Sequence, residues 1–300
     1  MLLRILFLTI AGDLFDCVDM YKQPAFDHPL LKNHTLQLKP SSLPKGMKLA
    51  KSKPVSFYGF NDTCPLGTVL VQRAHKQDLN DSQLLRNQFR AQVIADDRST
   101  EGGHYALLQT LRYQYYGAYA KMATYKLPDL HSGQSSSNAI ILFGDAPTDG
   151  LNAIAVGWQV STIIYDTSYP RFFTFWTDSK TGNWWVTYND QLPLGYFPKE
   201  LLPNLDPNAN FVQMGGEVIS SSKVPSPPMG SGHPSNEGRN KAAYFIQVQF
   251  VDQSNNLFVL DPSSFTPRAD IKNYYSVADA HFEDHKDKYV FAYGGAGGFK

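Results

Sequence analysis

Apolar and polar residues alternate with a period of two through much of the chain after about residue 100. In "AAYFIQVQFVD", Tyr244, Ile246, Val248 and Phe250 fall on one face and Gln247 and Gln249 on the other, the spacing of a half-buried strand. Comparable runs follow one another between turn residues: "HYALLQTL", "YYGAYAKMATY", "AIILFG", "AIAVGWQVSTIIY", "RFFTFWTD", "GNWWVTYND", "NLFVLD" and "KYVFAYGG". Many short strands at turn-punctuated spacing predict an all-β sandwich or barrel. "FVQMGGEVIS" is one of these strands, with Phe211, Met214, Val218 and Ile219 apolar and Gly215-Gly216 permitting a close approach. It also carries a carboxylate, Glu217. A glutamate so flanked sits either on the strand's solvated face or in a cleft, and carboxylate chemistry ordinarily needs a second acid nearby.

Upstream the pattern changes. Residues 13–75 mix turn chemistry with short apolar runs, of which "TVLVQ" is the clearest strand. Leu85, Phe89, Gln92 and Val93 then recur at helical spacing behind Asp78 or Asp81 as a cap, so 76–97 is read as a helix. The polar connector "ADDRSTEGG" closes it and marks a domain boundary, giving a small N-terminal unit over 13–97 and a β domain over 98–300. The stretch "SSSKVPSPPMGSGHPSNEGRN" is too long for a simple turn and is a candidate rim or lid of a cleft.

Composition narrows the function classes. With 27 basic against 27 acidic side chains the formal charge is zero, which leaves no electrostatic footprint for nucleic acid or an anionic membrane. The 17 Tyr, 19 Phe, 22 Gly and 19 Pro favour strands and turns over helices. Residues 1–12, "MLLRILFLTIAG", have the outline of a short secretion signal, too short to span a bilayer, or else form an apolar N-terminal strand. Two cysteines, Cys17 and Cys64, are consistent with one disulfide. Sequons at Asn33, Asn61 and Asn80 agree with export and glycosylation.

Most motifs that would carry other chemistry are absent or badly placed. "GGAGG" near the C-terminus lacks the strand-then-helix setting of a dinucleotide loop and reads as a strand end. His281 and His285 in "HFEDH" would suit a metal only on a helix, and a solvated turn is the commoner case, so no metal and no cofactor are expected. His233 in "GSGHP" has no visible partner in sequence. Trp158, Trp176, Trp184 and Trp185 could stack on sugar or proline rings, against a default of core packing.

Several strings, taken together, resemble one family. "DCVDMYKQPAFDHPLLKNHTLQLKPSSLPKG" and "CPLGTVLVQR" are similar to the activation-peptide region of the neprosin family of plant secreted proteins. "YYGAYAKMATY", "LNAIAVGWQVSTIIYD", "TGNWWV", "VQMGGEV" and "MGSGHPSNEGRNKAAYF" resemble its peptidase domain in the same order. The resemblance implies an antiparallel β-sandwich restrained by a propeptide, and a metal-free glutamic endopeptidase that cuts after proline. Two glutamates on facing strands would share one water there. One carboxylate takes its proton and the other, protonated, polarises the amide, so the chemistry runs in acid.

Glu217 matches one member of that pair. The other lies in a string of the form LNxIEAGW, where this chain has "LNAIAVGW", with Ala155 at the glutamate position and Val156 next to it. Losing one member of an acid-base pair costs about 100-fold to 10,000-fold in rate. A few dozen residues that relatives carry between "FWTD" and "TGNWW" are also missing near 178–181, which predicts lost strands and unpaired sheet edges. The family's C-terminal cysteine position is Tyr274, so the Cys17–Cys64 pair of the propeptide is the disulfide expected to remain. Asp166 and Asp178 are the nearest acids in sequence to replace the lost glutamate, and aspartates at strand ends are commonly turn residues.

The sequence therefore predicts a secreted neprosin-like protein with impaired peptidase activity and Glu217 as the remaining catalytic position. One alternative is a non-catalytic sandwich that binds proline-rich or cell-wall ligands through Trp158, Trp184 and Trp185. The other is an active, longer protein from which a segment is omitted. In each case the expected partner is a proline-rich peptide or protein rather than nucleic acid or a membrane.

Overall fold

The computed structural model describes residues 7–10, 13–47, 64–72, 102–144, 152–162, 174–177, 181–188, 192–220 and 224–299. The expected helix over 76–97, the boundary at 97/98, Asn61, Asn80, Asp166 and Asp178 lie outside them.

A small sheet starts the chain: β1 (Phe7–Ile10), β2 (Asp13–Asp19) and β3 (Thr68–Gln72) pair antiparallel in the order β1-β2-β3. The Cys17–Cys64 disulfide ties β2 to the approach to β3. The remaining strands form two sheets. One has β4 (Gly103–Thr110), β6 (Gln134–Gly144), β7 (Asn152–Ser161), β11 (Phe211–Ser220) and β14 (Phe265–Ala269), in the order β14-β4-β11-β6-β7. The other has β5 (Gly117–Met122), β8 (Thr174–Thr177), β9 (Trp184–Tyr188), β10 (Leu192–Phe197), β12 (Ala243–Val251), β15 (Ser276–Val277) and β17 (Lys288–Gly294), in the order β10-β9-β8-β5-β12-β17-β15. The short strands β13 (Leu257–Phe258) and β16 (His281–Asp284) pair with β12 and β17. Among the described residues all strand pairs are antiparallel, so the fold is the expected all-β one.

The two large sheets bury their facing sides against each other. Val212, Met214 and Val218 of β11, Ile140 and Leu142 of β6, and Ile154, Val156 and Trp158 of β7 meet Phe245, Val248 and Phe250 of β12 and Phe291 and Tyr293 of β17. Gly216 permits this contact, since a Cβ there would stand 2.6 Å from both Met229 Sδ and Tyr293 Cε2. Inside the core, Asn138 Nδ2 donates to the Tyr293 hydroxyl at 2.7 Å and to the Ala123 carbonyl at 3.2 Å. Tyr293→Phe removes an acceptor from a buried amide, and we expect a loss of about 1–3 kcal/mol in urea denaturation at unchanged m value. A loss under about 0.3 kcal/mol would show that this bond contributes nothing net.

Two expectations are corrected here. The alternation read over β12 breaks at Gln247, which has φ +57°, and the pairing with β5 shifts between Ile246 and Gln249. This bulge adds one residue, so Phe245 is inside before it and Val248 and Phe250 after it, while Tyr244 and Ile246 are only half-buried. Second, β8, which precedes the short connection, is not a sheet edge: two of its residues pair with β5 on one side and all four with β9 on the other. The edge strand β14 carries Pro267, which removes a donor where a neighbour would otherwise add.

The N-terminal unit is docked on the sandwich. Lys45 N–H donates to the Asn255 carbonyl at 2.8 Å, and Gln37 Oε1 accepts from Asn183 Nδ2 at 2.8 Å and Thr181 Oγ1 at 3.1 Å. His34 Nε2 lies 2.7 Å from the Tyr196 hydroxyl, which also accepts from Gln37 N–H at 3.0 Å. Leu43 and Met47 pack on Trp185, Tyr116 and Val251. Trp184 points into the core, so its neighbour Trp185 points to the outer side of the larger sheet, and residues 34–47 lie along that side.

Candidate functional site: the outer face of the smaller sheet

Side chains alternate along β11, so if Val212, Met214 and Val218 face the core, Gln213, Gly215 and Glu217 face away from it. Glu217 therefore stands on the outer face of the five-stranded sheet, on the opposite side of the sandwich from residues 34–47. The register fixes its neighbours. Glu217 is paired with Tyr105 of β4 and with Ser137 of β6, and Ser137 with Gln159 of β7. The result is a row Tyr105, Glu217, Ser137, Gln159 across four strands, all half-buried.

The adjoining row on the same face is Leu107, Gly215, Ala139, Gly157. From β6 to β11 it has nothing larger than a methyl group, so it forms a shallow trough. Beyond it lies the row Gln109, Gln213, Ile141, Ala155. There Gln213 Nε2 and Arg268 Nη1 both donate to Gln109 Oε1 at 2.9 Å.

The Glu217 carboxyl is pushed up to about 7, and burial is the cause. Among the described residues no hydrogen bond or opposite charge offsets that burial. Ser137 Oγ turns to the Glu217 main-chain carbonyl at 3.4 Å rather than to the carboxyl. A carboxylic acid that keeps its proton to near neutrality can donate to a carbonyl oxygen, and in its ionised form can accept a proton from water.

Ala155, where the resemblance expects the second glutamate, lies elsewhere on that face. Ala155 is exposed and pairs with Ile141, which pairs with Gln213, four residues before Glu217. On a flat sheet the two positions would be about 10 Å apart across the strands and about 13 Å along them. The positions are thus on one sheet with β6 between them, which corrects the expectation of facing strands.

The tryptophan platform is also corrected. Trp158, Trp184 and Trp185 are 1%, 0% and 2% exposed. Trp158 Nε1 donates to the Ala123 carbonyl at 2.9 Å, Trp184 belongs to the main core, and Trp185 is covered by Tyr116, Val251, Leu43 and Met47. Rings so covered have no face left for stacking. His233 is held by Glu237 at 3.2 Å, and Glu237 also pairs with Lys241 at 3.1 Å. His281 and His285 lie on exposed β16 and the turn after it rather than on a helix. Asn33 is an exposed turn residue. Tyr105, Ser137 and Gln159 were not singled out from sequence, because strand register alone brings them beside Glu217.

The site is thus a proton-holding carboxyl on the outer face of an antiparallel sandwich, with a disulfide-tied N-terminal unit docked on the other side. The family model described as Neprosin matches residues 132–181 and 177–296, and that described as Neprosin activation peptide matches residues 6–109. The chain belongs to the neprosin family. The first of these matches comes in two pieces that meet at 177–181, at the β8–β9 connection.

Proposed function

We propose that this is a secreted neprosin-family protein that has kept the family's peptide-binding face but whose peptidase chemistry is impaired. One observation carries the reading: in the five strands of that face, Glu217 is the only acidic residue. Asp270, just past β14, is already engaged by His104 Nδ1 at 2.7 Å and by the Tyr105 N–H at 3.0 Å. A single carboxyl can take a proton from water or give one to the amide, but cannot be poised for both roles at once.

The test is a proline-containing peptide incubated with purified protein at about pH 3 and followed by chromatography. The expected result is no cleavage above background, against the roughly 100-fold to 10,000-fold that an acid-base partner supplies. Turnover that Glu217→Ala abolishes would overturn the reading. Ala155→Glu is expected to restore little, since the connection at 178–181 also replaces a segment that relatives carry.

A second reading is favoured by the division of the family match at 177–181: a longer, active form from which a segment is omitted. Transcript sequencing across Asp178 to Thr181 decides between them. Export is supported by the family and by the disulfide, and the exposed Asn33 is available for glycosylation. N-terminal sequencing of secreted protein reports whether the connector "ADDRSTEGG" is cut.

A further inference from the structure

We propose that Gln159 is the working partner of Glu217, and that the two side chains, placed on β7 and β11 on either side of Ser137, form a clamp for the carbonyl oxygen of an extended peptide. The inference rests on the reading of this face as a peptide-binding one and adds the residue that completes the site.

The geometry is a matter of register. Glu217, Ser137 and Gln159 are opposite one another on consecutive strands, so Glu217 and Gln159 are about 10 Å apart at their Cα atoms and project from the same face. Both side chains are long and the residue between them is short. Ser137 turns its hydroxyl to the Glu217 main-chain carbonyl rather than to the carboxyl. Ala155, by contrast, lies a further four residues along β7 from the position opposite Glu217.

Hydrogen-bonding capacity is left over on both side chains. Gln159 Nε2 donates to Ser135 Oγ at 3.0 Å, which fixes the amide's orientation, and this is its only side-chain hydrogen bond among the described residues. A primary amide has two N–H donors and an acceptor oxygen, so one donor and the acceptor remain for a ligand. Glu217 in its protonated form supplies an O–H. Two donors converging on one acceptor suit an amide carbonyl, and half-buried polar groups left without partners call for a ligand or water. Beside them the trough of Gly157, Ala139 and Gly215 lets a backbone lie against the sheet. Its width across three strands, about 10 Å, is that of about three extended residues.

Among the described residues the charged and titratable groups around Glu217 are few. Tyr105 comes from β4, Arg268 from β14, and Asp270 beyond β14 is held by His104; β6 and β7 contribute none in their strands. Loss of the Glu217 proton is therefore what removes one donor as pH rises.

The experiment measures binding of a fluorescently labelled proline-containing peptide by anisotropy at pH 5 and pH 8. We expect wild type to bind up to about tenfold more tightly at pH 5. Glu217→Gln, which keeps a donor at every pH, should bind equally at both. Gln159→Leu should bind about tenfold more weakly at pH 5 while keeping both the wild-type ratio between the two pH values and the wild-type urea midpoint, and the unchanged midpoint separates loss of the donor from a general loosening of β7. Gln159→Met, similar in length and without a donor, carries the test should the leucine variant not fold. Wild-type affinity in both Gln159 variants overturns the clamp and leaves the impaired-peptidase reading intact. Absence of wild-type binding at millimolar peptide also overturns it. Cleavage of the peptide by wild type instead sinks the impaired-peptidase reading alone.

Discussion

Between pH 4.5 and about 7 the wild-type protein is expected to lose stability relative to Glu217→Gln as the pH rises. Burial raises the Glu217 carboxyl from 4.5 to about 7 in the fold, so across this window the native state holds a proton that the unfolded chain has released. A state that binds more protons is favoured by acid. The stabilisation is therefore complete below 4.5 and disappears as pH rises through about 7. At about 1.36 kcal/mol per pKa unit, the shift sets a ceiling of about 3 kcal/mol. The residue is only half-buried, and solvent screening reduces the expected change to about 1–2 kcal/mol. Glutamine has the same shape and no proton to lose, so the difference between variants isolates Glu217 from every other titrating group. Urea midpoints of both proteins at pH 4, 5.5 and 7.5 measure it. A difference that does not change with pH would mean that the carboxyl is better solvated than its surroundings imply.

That prediction depends on Glu217 standing within a strand, and this much was legible in the sequence, whereas its face follows from which residues of β11 enter the core. The apolar residues of "FVQMGGEVIS" mark the strand, and Gly215-Gly216 mark the crowded stretch where Tyr293 and Met229 press in. The strands β4, β5, β6, β7, β9 and β17 were likewise visible as alternating or continuous apolar runs. What period alone could not show was where it slips. Gln247 sits at φ +57° in a run that looks regular, held there by hydrogen bonds to the Asp287 and Lys286 carbonyls and by the Tyr119 hydroxyl. Those partners are far away in the chain, so no local signal announces the bulge.

The site was half legible for the same reason. Glu217 stands out as a charge within a strand, and Ala155 as a gap in a motif. Gln159, four residues after Ala155, looks like an ordinary polar position until β6 is known to lie between β7 and β11. The tryptophans mislead in the opposite way. Trp158 and Trp184 are rings that could serve as a ligand platform, yet in a two-sheet fold the large rings go to the layer between the sheets. Trp185 escapes that layer only to be covered by Leu43 and Met47 from the N-terminal unit.

Gly157→Ala is expected to be the most damaging single-methyl change on this face. Gly157 pairs with Ala139 of β6, and a Cβ built on it would stand 1.9 Å from the Asn138 carbonyl oxygen and 2.6 Å from Ala139 Cα. Those are main-chain atoms of the neighbouring strand, and they cannot move aside as a side-chain tip does. To admit the methyl, β7 must lift from β6 at the point where Asn138 pairs with Trp158. The indole N–H of Trp158 and the Asn138 amide both depend on the Ala123 carbonyl there. Overpacking at such a place costs about 3 kcal/mol or more. Gly46→Ala is the matched control. Its φ is +97° and nothing lies within 4 Å of the added Cβ, so only backbone strain of about 1–2 kcal/mol applies. Urea denaturation followed by tryptophan fluorescence compares the two, and the Gly157 variant should unfold at the lower midpoint and bind the labelled peptide weakly. A Gly157→Ala protein within 1 kcal/mol of wild type would mean that β7 is not held at this register. The row joining Gln159 to Glu217 would then lose its basis.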